Sequence, residues 1–165
     1  MTEIVFQEAP WRTVKFTRWA GVLLAAAWFG LPAAQAQDRA QRLPTTMLGA
    51  SFHKIKAEVA QTPQQHEIGL MHRTSMGANE GMLFIFDRPG QQCFWMKNTL
   101  IPLSVAFVAD DGSIVNLDEM QPQTLNTHCS AKPVRFVLEM NTGWFSKRGL
   151  KPGLKLTGEP FAPAP

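Results

Sequence analysis

One ten-residue run holds most of the residue types that could do chemistry in this chain. Between Phe94 and Leu103 stand Trp95, Lys97, Asn98 and Thr99: an aromatic ring, an ammonium, an amide and a hydroxyl, just ahead of Pro102. A strand serving only a core would carry β-branched residues there. Trp95-Met96-Lys97-Asn98-Thr99 therefore reads as one wall of a ligand site, apolar with a few convergent polar groups. Arg73 can grip a carboxylate or phosphate through its planar fork. Glu139 alternates with apolar residues and becomes a candidate acid or base if its face lines a cleft with Lys97 or Arg73. Arg73, Trp95, Lys97, Asn98, Thr99 and Glu139 are the candidate ligand-binding residues. Each also has a plainer role. Trp95 packs, Lys97 lays its stem along apolar surface, Asn98 and Thr99 satisfy the backbone of a bend, and Arg73 pairs with a neighbouring acid.

A second group is Cys93, Cys129 and His128. Sulfur and imidazole together select copper, which makes a redox or metal protein one alternative. Met71, Met82, Met96, Met120 and Met140 add thioethers, but methionine at core-like positions is an ordinary gap filler. No C-x-x-C or H-x-H cluster accompanies them. An even pair of cysteines in an oxidising compartment is most simply a disulfide. The sequence shows no Gly-rich phosphate loop and no G-x-S-x-G. No metal, no cofactor and no serine nucleophile is expected.

Residues 1–36 predict that compartment. Arg12, Lys15 and Arg18 precede an apolar run from Ala20 to Leu31, Pro32 breaks it, and Ala34-Gln35-Ala36 has the small-x-small pattern of a signal peptidase site. The run is shorter than the roughly 20 residues of a spanning helix. Cleavage after Ala36 would put the mature chain in a bacterial periplasm. The alternative is an inner-membrane anchor through residues 20–36, the sole membrane contact expected.

The 165 residues are 45 % hydrophobic and 18 % charged, enough apolar surface for one packed core. The net charge of +3 falls to +2 once the three bases and two acids of the leader are removed. The remaining bases are scattered, which excludes a nucleic-acid footprint.

The elements that must position these residues are short. Asp38 to Gly49 has no period and reads as linker, so 37–50 is expected to be irregular and the domain to span 51–158. Residues 52–60 alternate as a half-buried strand. Thr62-Pro63-Gln64-Gln65 predicts a helix start with a capping box. Gly81 to Phe86 reads as a buried strand and Asp87 to Gly90 as a turn. Further strands are expected over Cys93–Lys97, Leu103–Ala109, Ile114–Leu117, Val134–Met140 and Leu154–Thr157, with a hairpin at Asp110-Asp111-Gly112. Residues 119–133 read as loop. Thr142–Arg148 reads as a second short helix closed by Gly149. Residues 159–165 read as a flexible tail. Such a pattern predicts a compact, mainly β single domain, a β-barrel or β-sandwich with two short helices on the α+β borderline.

Three segments carry a resemblance. The first is Gly69-Leu70-Met71-His72-Arg73 with Gly81-Met82-Leu83-Phe84-Ile85-Phe86. The second, the most specific, is Phe94-Trp95-Met96-Lys97-Asn98-Thr99-Leu100-Ile101-Pro102-Leu103. The third is Val137-Leu138-Glu139 with Gly143 and the turn from Gly149 to Gly153. In this order they resemble the bacterial and archaeal family known as domain of unknown function 192. The resemblance covers nearly all of residues 52–157 and implies a compact mainly β fold, often exported, without an established activity. Ser104 departs from the pattern, which has Asp there.

The expected function is a non-enzymatic periplasmic domain binding a small molecule or an envelope protein, with no nucleic-acid partner. A small envelope enzyme using Glu139 with Lys97 or Arg73 is the alternative, followed by the redox or metal protein built on Cys93, Cys129 and His128.

Overall fold

The computed structural model describes residues 39–161. The leader expected over 1–36 therefore lies outside the described residues, as do 162–165 of the tail. Among these residues nine strands form: β1 Thr45–Ala50, β2 His53–Ala60, β3 Glu80–Gly90, β4 Cys93–Phe94, β5 Leu103–Val108, β6 Ile114–Met120, β7 His128–Cys129, β8 Val134–Asn141 and β9 Leu156–Thr157. A single α-helix, α1 at Pro63–Ile68, and two 3-10 turns, Ser146–Arg148 and Glu159–Phe161, complete the set among the described residues. The fold is mostly β, as the strand and turn pattern predicts.

Seven strands make one sheet in the order β6-β5-β8-β3-β2-β1-β9, and β4 pairs with β7 in a separate two-stranded ribbon. The pairings are antiparallel except β2 with β3, which run parallel. A parallel pair requires a crossover, and α1 sits in it. The helix starts as its sequence dictates. Thr62 Oγ1 accepts the Gln65 N–H at 3.2 Å, and Gln65 Oε1 accepts the Thr62 N–H at 3.0 Å. Such a cap contributes about 1 kcal/mol.

The sheet curls into a half-barrel. Its edge strands meet at one corner, where the Ile114 N–H donates to Leu154 O at 2.9 Å and the Leu156 N–H to Gly112 O at 2.8 Å. Gly112, at φ 81°, makes that corner. A Cβ there would collide with the Leu156 carbonyl. Period-2 alternation then separates two cores. Leu48, Ile55, Leu83, Ala106, Ile114, Phe136, Leu138 and Leu156 come from both edges and the middle of the sheet and fill the concave side. Met82, Phe84, Val105, Phe107 and Val137 come from the central strands and Met120 from β6, and Leu70 and Met96 cover them on the convex side.

Several boundaries differ from the sequence reading. The stretch read as linker contains β1, whose Leu48 and Ala50 are buried. Its small, β-poor composition hides it, and pairing with both β2 and β9 holds it extended. The turn expected at Asp87–Gly90 continues β3 through a register shift between Ile85 and Gly90. The strand expected over Cys93–Lys97 stops at Phe94. Strand β6 runs on to Met120, and β7 lies inside the stretch read as loop. The second helix is only a 3-10 turn, Ser146–Arg148, though Gly149 closes it at φ 67° as expected. Within the stretch read as tail, Phe161 is buried, and its ring meets Phe136 edge-on at 5.0 Å.

Candidate functional site

On β8, Phe136, Leu138 and Met140 point into the concave core, so Val137 and Glu139 must face the convex one. Glu139 is 4 % exposed. Its register neighbours are Met82 on β3 and Val105 on β5, both fully buried. Among the described residues no group hydrogen-bonds its carboxyl, and no charge opposes it. Burial alone raises its pKa from 4.5 to about 8. At neutral pH this is a protonated acid in an apolar setting.

The row containing Glu139 continues in both directions. Glu58 on β2 is opposite Met82, and Asp118 on β6 is opposite Val105. Each outer acid has a nitrogen partner. Arg73 forks onto Glu58 at 2.7 and 2.6 Å, and His128 Nδ1 lies 2.7 Å from Asp118 Oδ2. The central acid has none.

What Glu139 has instead is a cleft. It opens between the end of α1, strand β3, the β4–β7 ribbon and Thr99, with a volume of about 260 Å³. Phe84, Phe86, Phe94 and Trp95 line it, together with His66 and Leu70. Phe94 stands edge-on to Phe84 with centroids 4.8 Å apart, and His66 lies 4.5 Å from Phe86. His66 is held in place by Nε2, 3.0 Å from Ala60 O. The ribbon that carries Phe94 is pinned where Cys93 opposes Cys129, with Cα atoms 4.1 Å apart and sulfurs at disulfide distance.

The sequence candidates divide around this cleft. Glu139, Trp95 and Thr99 line it together. Lys97 stays exposed beside it, with Nζ 5.4 Å from the centre of the Trp95 ring. Asn98 is exposed at φ 58° and serves the bend, its carbonyl accepting the His72 N–H at 2.9 Å. Arg73 is elsewhere. It is buried against Glu58 and also donates to Gln41 O at 2.7 Å. Neither Arg73 nor Lys97 lines the cleft with Glu139. Cys93 and Cys129 face each other, and His128 faces Asp118, so the three do not form one ligand set. The aromatic walls Phe84, Phe86 and Phe94 were missed, because a buried strand and a cleft wall have the same apolar pattern. Glu139, with Trp95 and Thr99, was the signal of the cleft that the sequence carried.

Ser104 sits on the other face, buried at 1 % exposure. Its hydroxyl donates to Glu119 Oε1 at 2.6 Å and accepts the Gly143 N–H at 2.8 Å. Thr142 Oγ1 donates to Glu119 Oε2 at 2.8 Å. A carboxylate thus reaches the Ser104 hydroxyl from the neighbouring strand.

Residues 45–158 match the model of a family described as uncharacterized ACR, DUF192. The chain belongs to the DUF192 family. Two solved structures share the fold. One is a Sinorhizobium meliloti 1021 protein provisionally described as a transcription regulator, 36 % identical, with a TM-score of 0.65 over 69 % of this chain and 92 % of that one. The other is a protein of unknown function from Novosphingobium aromaticivorans DSM 12444, 31 % identical, with a TM-score of 0.65 over 78 % and 99 %. No curated protein matches this DUF192 chain.

Proposed function

We propose that this domain is a non-enzymatic binding module for a small molecule, which enters the cleft with an apolar body and presents a polar group to Glu139. The observation that carries the reading is the pairing of an unpartnered, buried carboxyl with aromatic walls. Burying a carboxyl without a partner costs free energy, and a fold that served only packing would carry leucine there. The enzyme alternative is weaker because the second charged group it needs, Lys97 or Arg73, does not meet Glu139 in the cleft. The metal or redox alternative is weaker because a sulfur bound to another sulfur is no thiolate ligand.

The same reading places the domain in the periplasm. The charged and apolar leader supports export, and a cysteine pair at bonding distance suits an oxidising compartment. No described helix is long and apolar enough to cross a membrane. The transcription-regulator description belongs to the Sinorhizobium protein. Here several bases face acids, such as Arg135 with Asp110 and Lys155 with Asp111, which argues against a nucleic-acid partner.

Native mass spectrometry of the chain purified without denaturation tests the reading. A small-molecule adduct is expected, and Phe94→Ala should lose it while Lys97→Met keeps it. An adduct that survives Phe94→Ala, or wild-type protein that carries none and takes up none from a periplasmic extract, would overturn it.

A further inference from the structure

We infer that the ligand of this cleft carries an organic ammonium group, held by Glu139 among the rings of Phe84, Phe94 and Trp95. The inference rests on the binding-module reading and adds the sign of the ligand's charge.

Three observations point the same way. Among the described residues the lining contains two carboxyls, Glu139 and Glu67, and no lysine or arginine. Aromatic rings attract cations through their negative faces, and the domain already lays one of its own over this wall, Lys97 Nζ above Trp95 at 5.4 Å. The row across the sheet supplies a nitrogen to Glu58 and another to Asp118, and leaves the cleft where the nitrogen for Glu139 would stand. Among the described lining residues, an anionic ligand would meet two acids and no lysine or arginine.

The charged and titratable groups around Glu139 are few. Glu67 and His66 come from α1, and Lys97 flanks Trp95. Strands β3 and β5 present Met82 and Val105, and the loop between β4 and β5 presents Thr99. Because Glu139 is held protonated up to about pH 8, an arriving cation must displace its proton. Affinity should therefore rise about tenfold per pH unit below pH 8 and level off above it.

Isothermal titration of the full chain with 2-phenylethylammonium and its neutral counterpart 2-phenylethanol decides the matter. The cation should bind at least about tenfold more tightly than the alcohol. Paired buffers of different ionisation enthalpy should show close to one proton released per cation bound at pH 7. Glu139→Gln should lose that preference and the proton release, yet still bind the alcohol, which shows that the variant is folded. Equal affinity for the two probes, or a cation affinity independent of pH and of Glu139, would overturn the inference and leave the cleft a binding site. Failure of both probes, with no adduct in native mass spectrometry, would remove the binding-module reading as well. Vesicles of phosphatidylethanolamine identify the source of the ammonium: Glu139-dependent retention on them assigns a lipid headgroup, and binding of the free amine alone assigns a soluble ligand.

Discussion

Glu58 and Glu139 lie in one row of the sheet, on the same face, with Met82 between them. Their surroundings are opposite. At Glu58 burial raises the pKa, but the hydrogen bonds from Arg73 and from the Leu43 N–H, with the charges of Arg73 and Arg42, outweigh it and leave the group lowered. At Glu139 nothing offsets burial, and the group rises to about 8. One acid is part of the scaffold, a clasp between β2 and the segment after α1. The other is a buried polar group that the fold supports at a cost. The contrast separates what holds this domain together from what it offers to a partner.

Breaking the clasp should have the largest effect. Arg73→Ala leaves half-buried Glu58 with only the Leu43 N–H and Arg42 and frees Gln41 O; losing one member of a buried pair costs about 3–5 kcal/mol, and the partial exposure of Glu58 puts the loss at the lower end of that range. Urea denaturation at pH 7 measures it. Replacing both ends, Arg73→Met with Glu58→Leu, should recover most of the loss, since apolar replacement of a whole pair is often nearly neutral. The pH dependence has a definite sign. A carboxyl lowered by folding contributes stability above its ordinary pKa of 4.5, and that stability is lost as the pH falls through the lowered value. Arg73→Ala should abolish this acid-side loss.

Glu139 should behave in the opposite sense. A carboxyl raised by folding is at no disadvantage below pH 4.5, where it is protonated folded or unfolded. Its cost accumulates as the pH climbs from 4.5 to about 8, because the unfolded chain ionises first. At 1.36 kcal/mol per unit, the cost reaches on the order of 3 kcal/mol by pH 7. Glu139→Gln removes the titration, so the variant should match wild type near pH 4.5 and exceed it at pH 8. Melting curves across that range check it. A variant less stable than wild type at pH 8 would mean that a partner within the domain had gone unseen.

How much of this was legible in the sequence depends on how local each cause is. The capping box at Thr62, the hairpin at Gly112 and the stop at Gly149 are decided by a few adjacent residues, and each stands where the residue types put it. The family resemblance was legible in three motifs, and residues 45–158 match the model. Strand β1 was hidden because its extended form depends on two distant partners rather than on its own composition. The site was legible only in part for the same reason. Sequence can show that Arg73 and Glu139 are both unusual, but not that β2 reaches the first and that neither strand beside the second brings it a base. Those are facts of register.

The smallest expected effect concerns a third kind of carboxyl, satisfied by neutral donors. Glu119 on β6 takes the hydroxyls of Ser104 and Thr142 and the Gly143 N–H, which fastens the turn ahead of Trp144 to the sheet. Glu119 is exposed, so its replacement by Ala should cost only about 1–2 kcal/mol, the value of a few hydrogen bonds to a charged acceptor partly compensated by water. Ser104→Asp is the sharper probe. Alone, it sets a second carboxylate where a hydroxyl now lies 2.6 Å from Glu119 Oε1, and like charges so close should destabilise more than Glu119→Ala does. Combined with Glu119→Ala, it returns one carboxylate to the position whose side chain already accepts the Gly143 N–H. The double variant should then be more stable than Ser104→Asp, with a non-additivity of at least about 0.5 kcal/mol in a double-mutant cycle. Strict additivity would mean that the turn is held by packing of Trp144 and Phe145 alone, and that the carboxylate contributes nothing there.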